Sequence, residues 1–144
     1  MNTNKMTIAR NYSRGLWTDD MLKKLVIKGK MSHADYVEIV GAAIDLENLS
    51  AAEVQKVLTA VVQGHLDQEA AKLGYDNCNS VCTYVDTGVQ KFDDEGRAFR
   101  AWRSAVWARG YEILADVQAG LRAIPSAEEL LAELPELVIK YAEA

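Results

Sequence analysis

The longest periodic stretch of the chain decides its fold. Residues 93–122 have the sequence DDEGRAFRAWRSAVWARGYEILADVQAGLR, in which apolar side chains recur at steps of three and four. A period near 3.6 residues predicts one amphipathic helix, about 45 Å long at 1.5 Å per residue. Its apolar stripe contains Phe99, Trp102, Val106, Gly110, Ile113, Val117 and Leu121, widened by Trp107, Tyr111 and Leu114.

Signals for the end of one helix and the start of another follow this stretch. Pro125 interrupts the helical pattern, and Ser126 with Glu129 forms a capping box that starts a short helix. Pro135 ends that helix, because proline cannot continue one. Residues 137–139 are apolar, and we expect them to dock against the folded part of the chain.

Two further helices are predicted before the long one. Ser50 and Glu53 form another capping box, and apolar residues at helical spacing continue to about Leu73, where Gly74 stops the helix. Residues 76–87 are ambiguous, because their apolar spacing suits one or two helical turns while their β-branched residues also favour a strand. We favour a short helix.

Residues 18–41 predict two short helices joined by a tight turn. Thr18 is a good N-cap for the first helix, and Gly29 is a natural stop after it. Ser32 caps the second helix, which Gly41 ends. The first ten residues of the chain are polar and lack periodicity, so we expect them to fray.

These elements predict an all-α fold with two parts. Residues 11–41 form a short helical hairpin, and residues 50–135 form a helical body with one long amphipathic helix. Residues 1–41 carry seven Lys or Arg and four Asp or Glu, whereas the rest of the chain carries nine and seventeen. Such a split marks two functional halves in some proteins, and an uneven composition of solvated faces explains it equally well.

Size and composition are those of a globular protein that needs no covalent or metal staple. The chain has 144 residues, of which 49% are hydrophobic and 26% are charged. Its apolar runs are far shorter than the roughly 20 residues that cross a bilayer. The sequence also does not open with the charged and then apolar pattern of a secretory signal. We therefore expect cytoplasmic synthesis and no membrane partner.

The side chains capable of chemistry do not form a recognisable catalytic or metal site. Cys78, Cys82 and His65 resemble part of a zinc site, but no fourth ligand has a convincing spacing. We expect reduced, partly buried thiols and a histidine that packs in the core or in an interface. The acidic run 93–95 is expected to favour a helix start rather than bind a cation. With no phosphate loop or nucleophile motif, we expect no catalytic residue, no cofactor, no metal and no enzymatic activity.

The helical hairpin also has to be weighed as a DNA-binding element. The lysines that could meet phosphates are Lys23, Lys24, Lys28 and Lys30. The second helix, however, has no lysine or arginine and carries Asp35 and Glu38, which phosphates repel. We expect no nucleic-acid partner.

Three aromatic side chains are candidate partner-binding residues. Trp102 and Trp107 project about 140° apart on a helix, so they cannot both centre one narrow stripe. We expect one of them to serve the core and the other a partner. The candidates are Trp17, Tyr36 and Trp107, and the alternative is that such side chains all pack in the core.

The amino-terminal part resembles a known family. The runs NYSRGLWT (residues 11–18), MLKKLVIKGKMS (21–32) and YVEIVG (36–41) resemble the short XkdX-like proteins of tailed-phage tail gene clusters. These proteins share the Gly-Leu-Trp-Thr opening and the Val-Xaa-Lys-Gly-Lys turn.

A second resemblance covers residues 62–135. Runs such as AWRSAVW (101–107) and PSAEEL (125–130) look like a module of phage tail-fibre-associated proteins. The sequence departs from that module at residues 77–80, where small apolar residues are more usual. No catalytic residues carry over from either resemblance.

Together the resemblances imply a non-enzymatic structural component of a phage tail, as a baseplate or tail-fibre-associated adaptor. The implied partners are other phage tail proteins and further copies of the chain, since tails repeat their parts with closed symmetry. The implied location is the virion tail, after synthesis in the bacterial host cytoplasm. The first alternative is an assembly chaperone absent from the mature virion. The second, ranked below it, is a helix-turn-helix DNA-binding regulator.

Overall fold

A computed structural model describes residues 3–47 and 49–142, and within these residues the fold is all-α, as the sequence predicts. None of the helices in these ranges is both long and apolar enough to cross a bilayer. The elements are α1 (Thr3–Ser13), α2 (Asp19–Ile27), α3 (His33–Val40), α4 (Ala51–Lys72), α5 (Cys78–Cys82), α6 (Gln90–Gln118) and α7 (Ala127–Glu133).

The chain divides into two compact units between Gly64 and His65, inside α4. The sequence predicts a different division, into a hairpin at residues 11–41 and a body at residues 50–135. That division says which segments fold and act independently, and it stays a prediction. The two units are described separately below.

The caps of the amino-terminal hairpin lie where the sequence predicts them. The Thr18 hydroxyl accepts the Met21 N–H at 3.2 Å, and the Ser32 hydroxyl accepts the Asp35 N–H at 3.0 Å. Gly29, which follows the C-cap of α2, has a left-handed φ of +73°. Side chains with a Cβ rarely adopt that conformation, so the glycine fixes the turn between the two helices.

The core of the first unit extends beyond the hairpin. Leu22 and Val26 of α2 are fully buried against Tyr36 of α3, and Ile44 and Val57 belong to the same cluster. Val57 lies on α4, so this helix supplies the first unit with a buried side chain that the 11–41 segment lacks.

The expectation that the first ten residues fray is wrong for residues 3–10, and residues 1 and 2 lie outside the described part of the chain. Residues from Thr3 onward form α1, and its Ile8 and Tyr12 pack against the core cluster. Lys5 of the same helix forms ion pairs with Asp35 and Glu38 of α3. Two apolar side chains at a spacing of four are enough to dock a helix whose remaining residues are mostly polar.

The second unit is built on α6, which begins three residues before the predicted helix and ends at Gln118. The predicted stripe is correct at its centre: Phe99, Trp102, Val106 and Ile113 are buried. It is wrong at its edges, because Tyr111 is 66% exposed and Leu121, beyond the end of the helix, is 76% exposed. The fully buried part of the stripe therefore ends at Ile113, and Leu114 and Val117 after it are half-buried.

The other helices of the body follow their predicted signals. Ser50 and Glu53 form both bonds of a capping box, with N–H to side-chain distances of 3.1 and 3.2 Å. The ambiguous stretch contains the helix α5, which confirms the preferred alternative. This helix approaches α6 at Gly96, where an added Cβ would lie 3.0 Å from the Val81 carbonyl oxygen. Only glycine permits that approach without a backbone shift.

The apolar tail docks, as predicted. The Trp102 indole N–H donates to the Pro135 carbonyl oxygen at 2.8 Å, and Leu137 and Ile139 are half-buried. Trp102 also makes edge contacts with the rings of His65 and Phe99. It therefore contacts α4, α6 and the tail at once.

Trp102→Ala should lower the free energy of unfolding by about 3–5 kcal/mol, because it removes a buried aromatic side chain and leaves a cavity. The measurement is a urea or thermal melt followed by circular dichroism. Tyr111→Ala is the matched control on the same helix, and its exposed side chain should change stability by less than about 0.5 kcal/mol. Equal losses in the two variants would show that the buried face of α6 is wrongly assigned.

Candidate protein-binding surfaces

A tight turn between α1 and α2 presents one apolar side chain to solvent. Gly15 has a φ of +75°, its N–H donates to the Tyr12 carbonyl at 3.0 Å, and the Leu16 N–H donates to the Asn11 carbonyl at 2.9 Å. This pair of bonds closes α1 in a Schellman-type cap. The Leu16 side chain is 64% exposed, although this cap usually buries the corresponding residue.

The turn is held on both sides. Trp17 packs half-buried against the core of the first unit, and Thr18 caps α2 immediately after it. The Tyr12 hydroxyl donates to the Asp19 carboxylate at 2.6 Å and ties α1 to α2. Leu16 therefore stands on a turn whose backbone is fixed, and Met21 of the following helix is a second large exposed apolar side chain.

The structure places the three aromatic candidates in different surroundings. Tyr36 is only 5% exposed and belongs to the core cluster, so its ring has little surface to offer a partner. Trp17 is half-buried against the same cluster. Trp107 is half-buried on α6 and lies one turn before the exposed Tyr111. Whether any of them binds a partner stays a prediction. The large exposed apolar side chains four residues after Trp17 and Trp107 are Met21 and Tyr111.

The lysines of the hairpin differ in their surroundings as well. Lys23 and Lys24 lie 3.9 and 3.3 Å from the two carboxylate oxygens of Asp20. Lys28 and Lys30 flank Gly29 in an exposed turn. Two of the four lysines considered for phosphate contact thus already face a carboxylate.

The second unit contains a buried carboxylate that the sequence did not single out. Glu95 is 1% exposed, and its two carboxylate oxygens accept the hydroxyls of Tyr75 at 2.8 Å and Tyr141 at 2.7 Å. Tyr75 also packs edge to face against Tyr84 and Phe92. The expectation that the run 93–95 simply starts a helix holds for Asp93, which lies in the first turn of α6, and is wrong for Glu95.

Both tyrosine hydroxyls are held in the protonated form. Burial, and then the bond to Glu95, raises the pKa of Tyr75 well above its usual range. The bond to Glu95, followed by burial, raises the pKa of Tyr141 to about 12. A neutral hydroxyl donates to the carboxylate, whereas a phenolate beside it would repel it.

The thiols and the histidine occupy packing positions. Cys78 and Cys82 are buried and form no disulfide with each other, and burial raises the pKa of Cys78 to about 12. Such a thiol is a poor nucleophile at neutral pH. His65 contacts the Trp102 ring with 5.5 Å between ring centroids. Within residues 3–47 and 49–142, no three His, Cys, Asp or Glu side chains are placed to hold a metal ion.

Residues 6–43 match a bacteriophage family. Its description is "Phage uncharacterised protein (Phage_XkdX)". The match supports the first resemblance and makes the chain phage-related. No curated protein and no solved structure matches the chain. The resemblance of residues 62–135 to a tail-fibre-associated module receives no support from these comparisons.

The motifs on which the first resemblance rests correspond to the two glycine turns. The Gly-Leu-Trp-Thr motif contains Gly15, the exposed Leu16 and the cap Thr18. The Val-Xaa-Lys-Gly-Lys motif ends at the turn around Gly29, where the Lys30 N–H donates to the Leu25 carbonyl at 2.9 Å. Sequence reasoning chose Trp17 from the first motif and missed Leu16, although the glycine immediately before Leu16 signalled a turn.

Stability should fall above pH 10 because of the two tyrosines that contact Glu95. Since their pKa values are raised in the folded chain, the unfolded chain loses these protons first, near pH 10. Their contribution is therefore complete below pH 10 and is lost as the pH rises toward about 12. The Tyr75→Phe/Tyr141→Phe variant should show a flatter decline, measured as urea midpoints between pH 9 and pH 12, roughly the range of these pKa values. The exposed Tyr111→Phe control should keep the wild-type slope, and equal slopes in all three proteins would contradict this role of the tyrosines.

Proposed function

We propose that this chain is a non-enzymatic structural component of a tailed-phage tail that acts through protein–protein contacts. The observation that carries the proposal is the match of residues 6–43 to a phage family, together with an exposed leucine on the turn that the family motif builds. The partner in this proposal is another tail protein, and the chain serves as a baseplate or tail-fibre-associated adaptor.

The docking step rests on Leu16. Burying a leucine side chain that solvent otherwise surrounds contributes about 1.5–3 kcal/mol. The turn is already fixed by the Gly15 cap and by the Tyr12–Asp19 bond, so little backbone freedom is lost when a partner covers it. Met21 is a second exposed apolar side chain on the same unit.

The second unit offers a different surface for further copies of the chain. Trp107, Tyr111 and Leu114 recur at steps of four and three along α6, and Tyr111 is mostly exposed while the other two are half-buried. Side chains at this spacing share one helix face. This face supports a homo-oligomer, in keeping with the repeated parts of a tail.

In the test, a phage that lacks the gene for this chain is grown in a host whose plasmid supplies either the wild-type protein or the Leu16→Asp variant. The variant should melt like the wild type, because Leu16 is exposed, and its amount in purified virions should fall about tenfold or more, since the lost burial energy corresponds to at least that factor. Quantitative mass spectrometry of virions gives the amount. The matched control is Leu121→Asp, which alters a leucine outside residues 6–43 that is even more exposed than Leu16.

Two outcomes would overturn the proposal. If wild-type protein is needed for infectious particles but missing from purified virions, the chain is an assembly chaperone. If Leu16→Asp enters virions at the wild-type level, the turn is not the docking surface.

A further inference from the structure

The segment after α7 lies along α6 as an extended arm, defined here as residues 135–142. Its Pro135 carbonyl accepts the Trp102 indole N–H at 2.8 Å, its Tyr141 hydroxyl donates to Glu95 at 2.7 Å, and its Ala142 N–H donates to Asp94 at 2.8 Å. The arm thus begins beside residue 102 and reaches residues 94 and 95, so it runs antiparallel to the helix. The hydrogen bonds that the described part of the chain shows for the arm all go to α6.

The side chains of the arm alternate between the protein and solvent. Leu137 and Ile139 are half-buried, whereas Val138 and Lys140 between and after them are exposed. A period of two is that of an extended peptide with one face against a surface. Tyr141 continues the series: its hydroxyl reaches the buried Glu95 although its ring is partly exposed.

The surface that receives the arm has the features of a specific binding groove, named here the α6 groove. At one end the Trp102 N–H requires a backbone carbonyl, and at the other Glu95 requires a hydroxyl donor for its second oxygen. A carboxylate that is 1% exposed is costly without such a donor. The groove therefore discriminates in favour of an extended peptide with apolar residues at alternate positions and a phenol at its far end.

The hinge before the arm allows the arm to leave as a unit. Leu134 has extended backbone with a ψ of 148°, and Pro135 confines it to that region. The helix α7 ends before this point, so a change in φ at Leu134, for which the following proline leaves a range of about 80°, redirects the arm and leaves α7 intact.

We propose that the α6 groove is a peptide-binding site that accepts residues 135–142 of a second copy in exchange for its own. Every copy carries both the groove and the matching segment, so the hydrogen bonds that an arm breaks on leaving its own groove form again in the groove of the second copy. The exchange is reciprocal and needs no new surface. It does not depend on the proposed role in a phage tail, and it adds a specific interaction between copies.

The test joins two full-length variants by a disulfide. Asp94→Cys in one variant and Ala142→Cys in the other place thiols at positions that the 2.8 Å bond brings together. The two proteins are mixed at increasing concentration, incubated and oxidised with diamide, and covalent dimers are counted by non-reducing electrophoresis and mass spectrometry. Wild-type protein controls for the native thiols, which are buried.

A covalent dimer of the two variants that increases with concentration is the expected result. The control pair, Ala115→Cys with Ala142→Cys, puts the first thiol at an exposed α6 position well beyond the groove and should give no such dimer. The single-chain double variant Asp94→Cys/Ala142→Cys reports the arm in its own groove. If this variant closes internally while the mixed pair gives no dimer above the control, the arm does not exchange and the proposal fails. If it forms neither an internal disulfide nor a disulfide between copies, the arm does not occupy the groove, and the proposal fails as well.

Discussion

The second unit depends on one buried carboxylate. Glu95 lies on the core face of α6 with almost no contact with water, and hydroxyls from Tyr75 and Tyr141 supply both of its hydrogen bonds. Removing a charged group from water costs several kcal/mol unless such partners replace the water. Tyr75, which follows α4, and Tyr141, which lies on the arm, must therefore both reach the turn of α6 that contains Glu95. Gly96, the next residue, lets α5 approach the same turn.

The first unit is stabilised differently. Its core is an apolar cluster around Leu22, Val26 and Tyr36, and its shape is set by the glycine turns at Gly15 and Gly29. Because those turns fix where the chain reverses, they also decide which side chain faces solvent. Leu16 is exposed for this reason, and the proposed docking surface is a consequence of the local backbone. The phage family match covers most of α1 and all of α2 and α3. The residues that build these helices and their turns are therefore also the ones to which the proposal assigns a function.

Much of the fold could be predicted from the sequence because its signals are local. Ser32, Ser50 and Ser126 each cap a helix with a side chain that reaches only three residues ahead, and all three caps form as predicted. The features that were missed depend on distant partners. The helix α1 docks through contacts with α2 and α3, and Glu95 is buried because Tyr141, 46 residues later, covers it. Nothing next to Glu95 in the sequence distinguishes it from the half-buried acids Asp93 and Asp94 beside it.

The most direct test of the buried carboxylate is a double-mutant cycle between Glu95→Leu and Tyr141→Phe. Each variant and the combination are unfolded in urea at neutral pH, and the free energies of unfolding are compared. We expect Tyr141→Phe to cost about 1–3 kcal/mol in the wild type, where it leaves a buried oxygen without a donor. In the Glu95→Leu background the same change should cost almost nothing, which gives a coupling energy of about that size. A coupling energy within error of zero would show that the hydroxyl does not act through Glu95, and it would contradict the central role of this carboxylate.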